Sequence, residues 1–285
     1  MKELLYSKFN KELVDSVLKS KKYRKILSTP QKIDLKLCID LYLNYKLPIY
    51  KIAMLYGISD GTLRSYFIKA NVPLKGHRIG KNSFNNYFET INSADKAYFL
   101  GLIVADGNIY SGNNKKRLQI SLTDEDKYIL ERFNNYAKFN TNLIVSHPED
   151  TKPRQMLAVT SIKIYDDLVK YGIKENKSHK STHIPNIPKY LIPHFIRGYF
   201  DGDGIAKKEG YIGFCGSYEI ISEIKNELIK ECNVKDNKIT YNKSNHIYYI
   251  QWGSKEDIKS IFNYLYKNKQ DLYLTRKYNK IKNKL

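Results

Sequence analysis

Two short stretches of the sequence each end an apolar run with an acidic residue and a glycine. They read FLGLIVADG at Phe99–Gly107 and IRGYFDGDG at Ile196–Gly204. Residues Ala97–Ala105 carry no charged side chain, and a helix that is apolar on every side must be buried on every side. This run is too short to cross a bilayer, which takes about 20 residues. We therefore predict two core helices that end at Asp106 and Asp203.

The two stretches share a glycine at the same place, Gly101 in the first and Gly198 in the second. A residue without Cβ lets another backbone approach closely, so we expect the two helices to pack on each other through these glycines. Their ends would then place Asp106 beside Asp203, and two neighbouring carboxylates in a basic protein favour a bound divalent cation. The alternative for one Asp-Gly pair is a plain helix stop and turn. Recurrence of the whole pattern favours the paired site.

Both stretches resemble the signature helix of the LAGLIDADG homing endonucleases, present twice as in the single-chain members of that family. The resemblance covers about Asn92–Leu285. It implies two pseudo-symmetric α/β units with antiparallel DNA-binding sheets. It also implies a divalent metal, Mg²⁺ (magnesium), held by Asp106 and Asp203 together with the backbone carbonyls of Ala105 and Gly202.

The family pattern has an earlier acidic position, which is Asp201 in the second stretch but Val104 in the first. That position is mainly structural in the family, so the departure leaves the implied chemistry in place. The family also has a lysine near its active site, and Lys177 (YGIKENKS) and Lys277 (YLTRKY) resemble it in context, 100 positions apart. A cation there would stabilise charge on the attacked phosphate or orient water. The alternative is a surface lysine that neutralises phosphate, and two neighbouring cations are close rivals, Lys180 and Arg276.

After each of the two signature stretches, Phe99–Gly107 and Ile196–Gly204, the predicted elements follow in the same order. The first copy has a strand, a helix, two short strands and a helix capped by Ser161, over residues 117–123, 124–139, 142–146, 154–160 and 162–171. The second has a strand, a helix, a hairpin and a helix capped by Ser254, over residues 211–215, 218–232, 238–242, 246–252 and from 255 onward. The aspartates are 97 positions apart and the capping serines 93. Two copies of one unit explain these offsets.

Each predicted sheet has one polar face. In RLQISLT, apolar Leu118, Ile120 and Leu122 alternate with polar residues, which is typical of a strand with one buried face. A pair of such sheets is suited to place side chains against base edges in the major groove. Any one of these side chains alone is better explained as a plain surface residue, and the face as a set is better supported than its members. The candidate DNA-binding residues on the two polar faces are Arg117, Gln119, Ser121, Lys238, Thr240, Asn242 and Gln251.

The N-terminal part predicts a small all-α domain with a helix-turn-helix at about residues 31–70. In IYKIAMLYGISDGTLRSYFIKA, one apolar helix precedes Gly57, and Ser59 or Asp60 caps the next. The alternative is a helical bundle without a DNA role. If the motif is present, the exposed side of its recognition helix carries Asp60, Thr62, Arg64, Ser65 and Lys69, of which we single out Thr62, Arg64 and Ser65 as DNA-binding.

These observations predict an α+β protein with a helical N-terminal region, a basic linker and two LAGLIDADG units. The predicted bounds are residues 1–72, 73–91, 92–188 and 189–285. The chain has 49 Lys and Arg against 29 Asp and Glu, a net charge of +20, which favours a polyanionic partner and nucleic acid first.

Targeting and redox signals are weak. The three cysteines, Cys38, Cys215 and Cys232, form neither a disulfide framework nor a zinc pattern. The first residues lack the apolar run of a signal peptide, and no stretch of 18 apolar residues occurs. We therefore expect a soluble intracellular protein, cytoplasmic or organellar.

The resemblance implies a monomeric, site-specific endonuclease that makes a metal-dependent double-strand break in a long DNA target, leaving short 3′ overhangs, with a gene carried in an intron or standing free. Two rivals remain open, a DNA-binding transcription regulator that kept the fold and lost cleavage, and an RNA maturase on the same scaffold. An intein is not expected, because the sequence starts with Met1 and ends with Leu285, without the nucleophile and terminal Asn that protein splicing needs.

Overall fold

A computed structural model of the chain describes residues 1–25, 27, 29–70, 72, 74, 85–112, 115–139, 141–146, 153–176, 181–207 and 210–285. The chain divides into two compact units, Met1–Ile79 and Gly80–Leu285. No helix within the described ranges is long and apolar enough to cross a membrane.

The N-terminal unit is a group of helices around its own apolar core. Its helices are α1 (Lys2–Lys8), α2 (Lys11–Lys19), α3 (Leu35–Leu43), α4 (Ile49–Tyr56) and α5 (Asp60–Lys69). Gly57 ends α4 in the left-handed region, with φ of 68°, which a residue without Cβ adopts at little cost. The Ser59 hydroxyl accepts a hydrogen bond from the Thr62 amide and caps α5. The predicted turn and cap between α4 and α5 are therefore confirmed.

The larger unit contains two halves with the same order of elements. The first half consists of α6 (Ala94–Asp106), β1 (Gly107–Gly112), β2 (Lys115–Thr123), α7 (Lys127–Tyr136), β3 (Ile144–Ser146), β4 (Arg154–Thr160) and α8 (Ile162–Lys170). The second consists of α9 (Ile192–Asp203), β5 (Gly204–Lys207), β6 (Tyr211–Gly216), α10 (Tyr218–Cys232), β7 (Thr240–Asn242), β8 (Ile247–Trp252), α11 (Lys255–Tyr266) and α12 (Thr275–Lys282). One apolar core runs through both halves.

Each half folds its strands into a four-stranded antiparallel sheet. The strand orders are β1-β2-β4-β3 and β5-β6-β8-β7, which is one topology used twice. In β2 the predicted alternation holds, because Leu118, Ile120 and Leu122 are buried while the residues between them are partly exposed. The predicted α+β fold with two repeated antiparallel sheets is confirmed.

Several predicted elements differ in extent from the observed ones. Strands β1 and β5 were not predicted, because each starts at the glycine that ends a helix and is short or weakly apolar. Helix α7 starts at Lys127, after a 3₁₀ turn over Asp124–Asp126. Strand β7 starts at Thr240, so Lys238 precedes it as an exposed residue outside any strand. Lys277 lies inside α12 and does not merely follow the last helix.

Residues at the end of the predicted linker belong to the core of the larger unit. Phe88 and Ile91 are buried among its aromatic residues. Most of the remaining predicted linker lies outside the described residues.

Candidate active site

Helices α6 and α9 cross with their backbones in direct contact. A Cβ built on Gly101 would lie 2.0 Å from the Phe195 carbonyl oxygen, and one on Gly198 would lie 1.9 Å from the Tyr98 carbonyl oxygen. No side chain larger than hydrogen fits at either position. Because Phe195 is 97 positions after Tyr98, each glycine meets the equivalent residue of the other helix. The predicted glycine-mediated crossing is confirmed, and it has pseudo-twofold symmetry.

The C-terminal turns of α6 and α9 also touch, and this contact brings Asp106 next to the second motif. A Cβ built on Gly202 would lie 2.3 Å from Ala105 Cβ and 3.0 Å from Asp106 Oδ2. The side chain of Asp106 is exposed and that of Asp203 is partly exposed. Both carboxylates are thus at one end of the helix pair and open to solvent.

The two aspartates act on the same buried groups. Burial raises the pKa of the Cys215 thiol to about 11, and the charges of Asp203 and Asp106 both contribute to this rise. The pKa of Tyr199 is raised well above its usual value by burial and again by both aspartates. Cys215 Sγ donates to the Asp203 carbonyl at 3.0 Å, and Tyr199 Oη donates to the Cys215 carbonyl at 2.7 Å. Asp106 and Asp203 therefore belong to one site.

Lys277 brings a buried ammonium group to this helix end. Its Nζ donates to the carbonyl oxygens of Phe200 at 2.7 Å, Gly202 at 2.9 Å and Gly204 at 2.7 Å, and the residue is 6% exposed. Burial lowers the pKa of Lys277 to about 8, while the charges of Asp201, Asp106 and Asp203 oppose that shift. A cation bound to the last carbonyls of a helix is electrostatically favourable.

The donor set at the helix ends consists of hard oxygen atoms. It comprises the carboxylates of Asp106 and Asp203 and nearby backbone carbonyls, which is what Mg²⁺ prefers. In the part of the chain that the structure describes, no three His, Cys, Asp or Glu side chains come together as a metal site. Mg²⁺ is commonly bound by one or two carboxylates with the remaining positions filled by water and substrate phosphate, so the residues present fit it.

Comparison with solved structures gives a clear result for the fold. The structure is similar to the homing endonuclease I-WcaI bound to its DNA recognition sequence, with a TM-score of 0.52 and 14% identity, over 75% of this chain and 97% of that one. It also resembles I-DmoI in complex with DNA and Mn, with a TM-score of 0.45 and 18% identity, over 61% of this chain and 97% of that one. This chain has the LAGLIDADG homing endonuclease fold.

Sequence comparisons are less direct. No family model matches the chain. A curated protein, the ribonucleoside-diphosphate reductase NrdEB subunit alpha of Bacillus subtilis (strain 168), is 27% identical over 163 residues, which is 52% of this chain. The same subunit of Bacillus phage SPbeta matches equally. The match covers only 15% of the length of these curated relatives.

The sheet of the first LAGLIDADG half presents the predicted polar residues on one face. Arg117, Gln119 and Ser121 alternate with buried leucine and isoleucine, and Arg117 Nε donates to Thr160 Oγ1 at 3.4 Å. Two residues that sequence reasoning missed pair with this face in β1, where Asn108 is opposite Gln119 and Tyr110 is opposite Arg117. The sequence signal for this strand was an apolar residue, Ile109, between Asn108 and Tyr110 directly after Gly107; in the structure Ile109 is buried and its two neighbours are exposed.

The sheet of the second half presents fewer polar groups. Gln251 lies between buried Ile250 and Trp252 and is opposite Gly213, and Thr240 is opposite Tyr249. Asn242 lies at the end of β7, where its Oδ1 accepts hydrogen bonds from the Ser244 amide at 2.9 Å and the Asn245 amide at 3.4 Å. Part of the hydrogen-bonding capacity of Asn242 is thus used in its own turn.

The predicted recognition-helix residues lie on α5 of the N-terminal unit. Thr62 and Ser65 are exposed, and Arg64 is partly exposed with its Nε 3.4 Å from Asp60 Oδ2. A basic segment that sequence reasoning left unassigned, Lys19–Lys25, is held against the turn that precedes α5. Tyr23 Oη donates to the Ile58 carbonyl at 3.1 Å. Its signal was the run KSKKYRK itself.

Of the two lysines predicted to lie near the active site, the structure describes only Lys277. Lys177, with its rival Lys180, lies outside the described residues. Arg276, the rival of Lys277, forms an ion pair with Asp126, with Nε 2.8 Å from Oδ2. Lys277 is therefore the cation that the structure places at the helix ends.

Proposed function

We propose that this protein is a site-specific endonuclease that makes a metal-dependent double-strand break in a long DNA target and acts as a monomer. The observation that carries the proposal is the pair of carboxylates, Asp106 and Asp203, at the end of two helices packed through Gly101 and Gly198. This pair lies in a unit that also carries two antiparallel sheets, each with a polar face. One chain thus supplies two half-sites for a duplex.

Asp106 and Asp203, with the carbonyl oxygens of Ala105 and Gly202, are the residues that would hold Mg²⁺, and the Gly202 carbonyl would do so with the lone pair that Lys277 Nζ does not use. A divalent cation bound there would supply an activated water and stabilise the leaving oxygen of the cut strand. The chain positions the carboxylates through the helix crossing, whose backbone contact brings the two helix ends together.

Lys277 would contribute a fixed positive charge beside the two carboxylates. All three N–H donors of its ammonium are given to carbonyl oxygens, so without rearrangement it would act on negative charge that develops on a phosphate through its electric field and not by a direct hydrogen bond. Lys177 is proposed for the same role in the first half.

The DNA would be read and held by the polar faces and the N-terminal unit. Arg117, Gln119 and Ser121 in the first sheet, and Thr240, Asn242 and Gln251 in the second, are suited to base edges, and Lys238 to phosphate. In the N-terminal unit, Thr62, Arg64 and Ser65 would contact the groove, and the exposed cations of Lys19–Lys25 would contact the backbone.

The substrate that tests the proposal is the genomic locus that carries this gene, in the form that lacks the intron or gene. The protein is incubated with that DNA. With Mg²⁺ we expect linear products cut at one position, and with EDTA we expect none. Binding without cleavage at any divalent metal concentration would favour a transcription regulator. Metal-dependent stimulation of intron splicing, without DNA products, would favour an RNA maturase.

Removal of the N-terminal unit tests its role as a separate module. Residues 80–285 alone contain both helices, both sheets and Lys277, so this fragment should cut at a saturated single-turnover rate within several-fold of the full chain. It should need more DNA to saturate and should give a shorter footprint. A folded fragment that saturates but cannot cut would show that the N-terminal unit helps to assemble the active site.

A further inference from the structure

Helix α9 carries a buried polar stripe on one face. His194, Arg197 and Asp201 follow each other at spacings of three and four residues, so they lie on one side of the helix. They are 9%, 1% and 1% exposed. At the positions 97 residues earlier, α6 has only apolar residues, Ala97, Leu100 and Val104. Buried charges are costly unless they are paired and hydrogen-bonded, so this stripe must have specific partners.

Most of those partners lie in or beside the connection between α11 and α12. We call this connection, Lys267–Leu274, the strap. Arg197 donates from Nε to the Leu272 carbonyl at 2.8 Å and from Nη1 to the Leu265 carbonyl at 2.9 Å. The Leu274 amide donates to Asp201 Oδ2 at 2.9 Å. The stripe therefore binds the last turn of α11, just before the strap, and the C-terminal end of the strap itself.

The first half holds the strap from another side. On α7, Arg132 Nε lies 3.2 Å from Asp271 Oδ2. Tyr128 Oη donates to the Tyr273 carbonyl at 3.1 Å and accepts from the Thr275 amide at 2.7 Å. The hydroxyl of Tyr98, on α6, donates to Asp201 Oδ2 at 2.7 Å. The strap is thus fixed by side chains from both halves of the unit.

The strap leads directly into the segment that carries Lys277. Lys277 is three residues after Leu274, in the first turn of α12. Helix α12 has no side-chain N-cap, and among its residues only Lys277 and Ile281 are buried. The strap therefore sets where α12 begins, while Tyr278 packs on Phe262 and Tyr266 of α11. Lys277 Nζ can form its three short hydrogen bonds only if the start of α12 is held at a fixed distance from the end of α9.

We propose that Arg197 and Asp201 are positioning residues, which hold the strap so that Lys277 reaches the helix-end carbonyls. The proposal rests on the proposed endonuclease function for its consequence in catalysis, but not for the arrangement itself. Because α6 has leucine and valine at the equivalent positions, this device serves only the second half of the site.

Two conservative variants test the proposal in the full-length protein. Arg197→Lys keeps the charge but replaces two donors that bond the two carbonyls from separate nitrogens, Nε and Nη1, with a single nitrogen, so the geometry of the pair is lost. Asp201→Asn keeps an acceptor and removes the charge. Asp201 Oδ1 has no hydrogen-bond partner among the described residues, so loss of this under-paired charge should not prevent folding. The matched control is Asp167→Asn, a buried carboxylate on α8 that pairs with Lys163.

The first readout is hydrogen–deuterium exchange by mass spectrometry, which needs neither DNA nor activity. We expect Arg197→Lys and Asp201→Asn to speed exchange in residues 267–282 and to leave α6 and α10 unchanged. Asp167→Asn should leave residues 267–282 unchanged. Unaltered exchange in residues 267–282, or equally faster exchange throughout the unit, would overturn the proposal.

The second readout separates rate from binding. Misplacement of a catalytic group by about 1 Å costs roughly 10²-fold, so we expect single-turnover cleavage at saturating Mg²⁺ to fall by about 10- to 100-fold. The dissociation constant for target DNA should not change. Faster strap exchange with wild-type cleavage would overturn the positioning role. Absence of cleavage by the wild-type protein would instead reject the endonuclease function, while the exchange experiment would still decide the role of the strap.

Discussion

The two halves of the larger unit are alike where their helices cross at glycine and different at the polar stripe of α9. At the helix crossing, Gly101 and Gly198 make equivalent contacts, and both helices end in an aspartate and a glycine. At the positions of the stripe α6 is apolar, whereas α9 carries Arg197 and Asp201. A pseudo-twofold contact constrains both sequences at once, because each glycine packs on the other helix. The stripe on α9 is outside that reciprocal contact: Arg197 bonds carbonyls of its own half, and Asp201 accepts from Tyr98 of α6, which has valine where α9 has Asp201.

The sheets show the same divergence. The first polar face carries Arg117, Gln119 and Ser121 on one strand. The corresponding strand of the second sheet places Gly213 and Cys215 on that face, one on each side of buried Phe214. Under the proposed function, an asymmetric pair of polar faces is suited to a DNA target whose two half-sites differ in sequence.

The largest expected effects test the symmetric part of the comparison. Asp106→Asn and Asp203→Asn should each reduce double-strand cleavage by about 10²–10³-fold or more, because each removes a charge that would hold the metal. DNA binding should be spared, since groove and phosphate contacts remain. The measurement is single-turnover cleavage beside a binding titration. Wild-type cleavage by either variant would remove that residue from the active site.

Lys277→Ala tests the second half of the site, which differs from the first. We expect its cleavage rate to fall by roughly 10²–10³-fold, because a fixed cation beside both carboxylates is lost. One lost phosphate contact would change the salt dependence of binding by only about 0.9 in log K per log salt. Rate and binding measured over a salt series distinguish the two cases. Equal, modest losses in both would make Lys277 a surface contact, against its burial.

The glycine crossing offers a test on stability alone. Gly101→Ala and Gly198→Ala each place a Cβ about where a backbone carbonyl lies, so each should lower the free energy of unfolding by about 1–3 kcal/mol or more. Because the contacts are equivalent, the two losses should be similar. Urea denaturation of the larger unit measures them. A tolerated substitution at one glycine only would break the symmetry that the structure shows.

Sequence reasoning worked best where local pattern and repetition decide the structure. Short-range rules predict the capping by Ser59, Ser161 and Ser254 and the alternation in β2. The helix crossing follows from repetition of the glycine in both stretches. The role of Arg197 could not be predicted, because its partners are carbonyls at Leu265 and Leu272 and depend on tertiary packing.

Helix α12 escaped prediction for a related reason. It lacks a side-chain cap and an apolar stripe, so its sequence reads as a basic tail. What stabilises it is contact with other elements, including the three carbonyl oxygens bound by Lys277 and the ion pair of Arg276 with Asp126. Local propensity is a weak guide where tertiary contacts determine whether a helix forms.

The smallest expected effect concerns pH and the stripe on α9. Burial lowers the pKa of His194 to about 4, and the neighbouring Arg197 charge adds to this shift. Arg197 Nη2 lies 3.1 Å from His194 Nδ1, so it can donate only if that nitrogen is unprotonated. In the unfolded chain a histidine takes up a proton below about pH 6.5. The native protein keeps His194 neutral to about pH 4, and the stability that depends on this neutral form is lost as pH falls between these two values.

His194→Ala makes this position of α9 like Ala97 of α6. At pH 7 the variant should be less stable than the wild-type protein, because Arg197 loses an acceptor. As pH falls below 6.5 the wild-type protein loses up to about 1.4 kcal/mol per pH unit through His194, and the variant does not. The gap between their unfolding free energies should therefore narrow from pH 7 to pH 5, as measured by urea denaturation at each pH. A gap that stays constant would mean that His194 takes up its proton at the same pH in the native protein as in the unfolded chain, which would contradict a neutral His194 as the acceptor for Arg197.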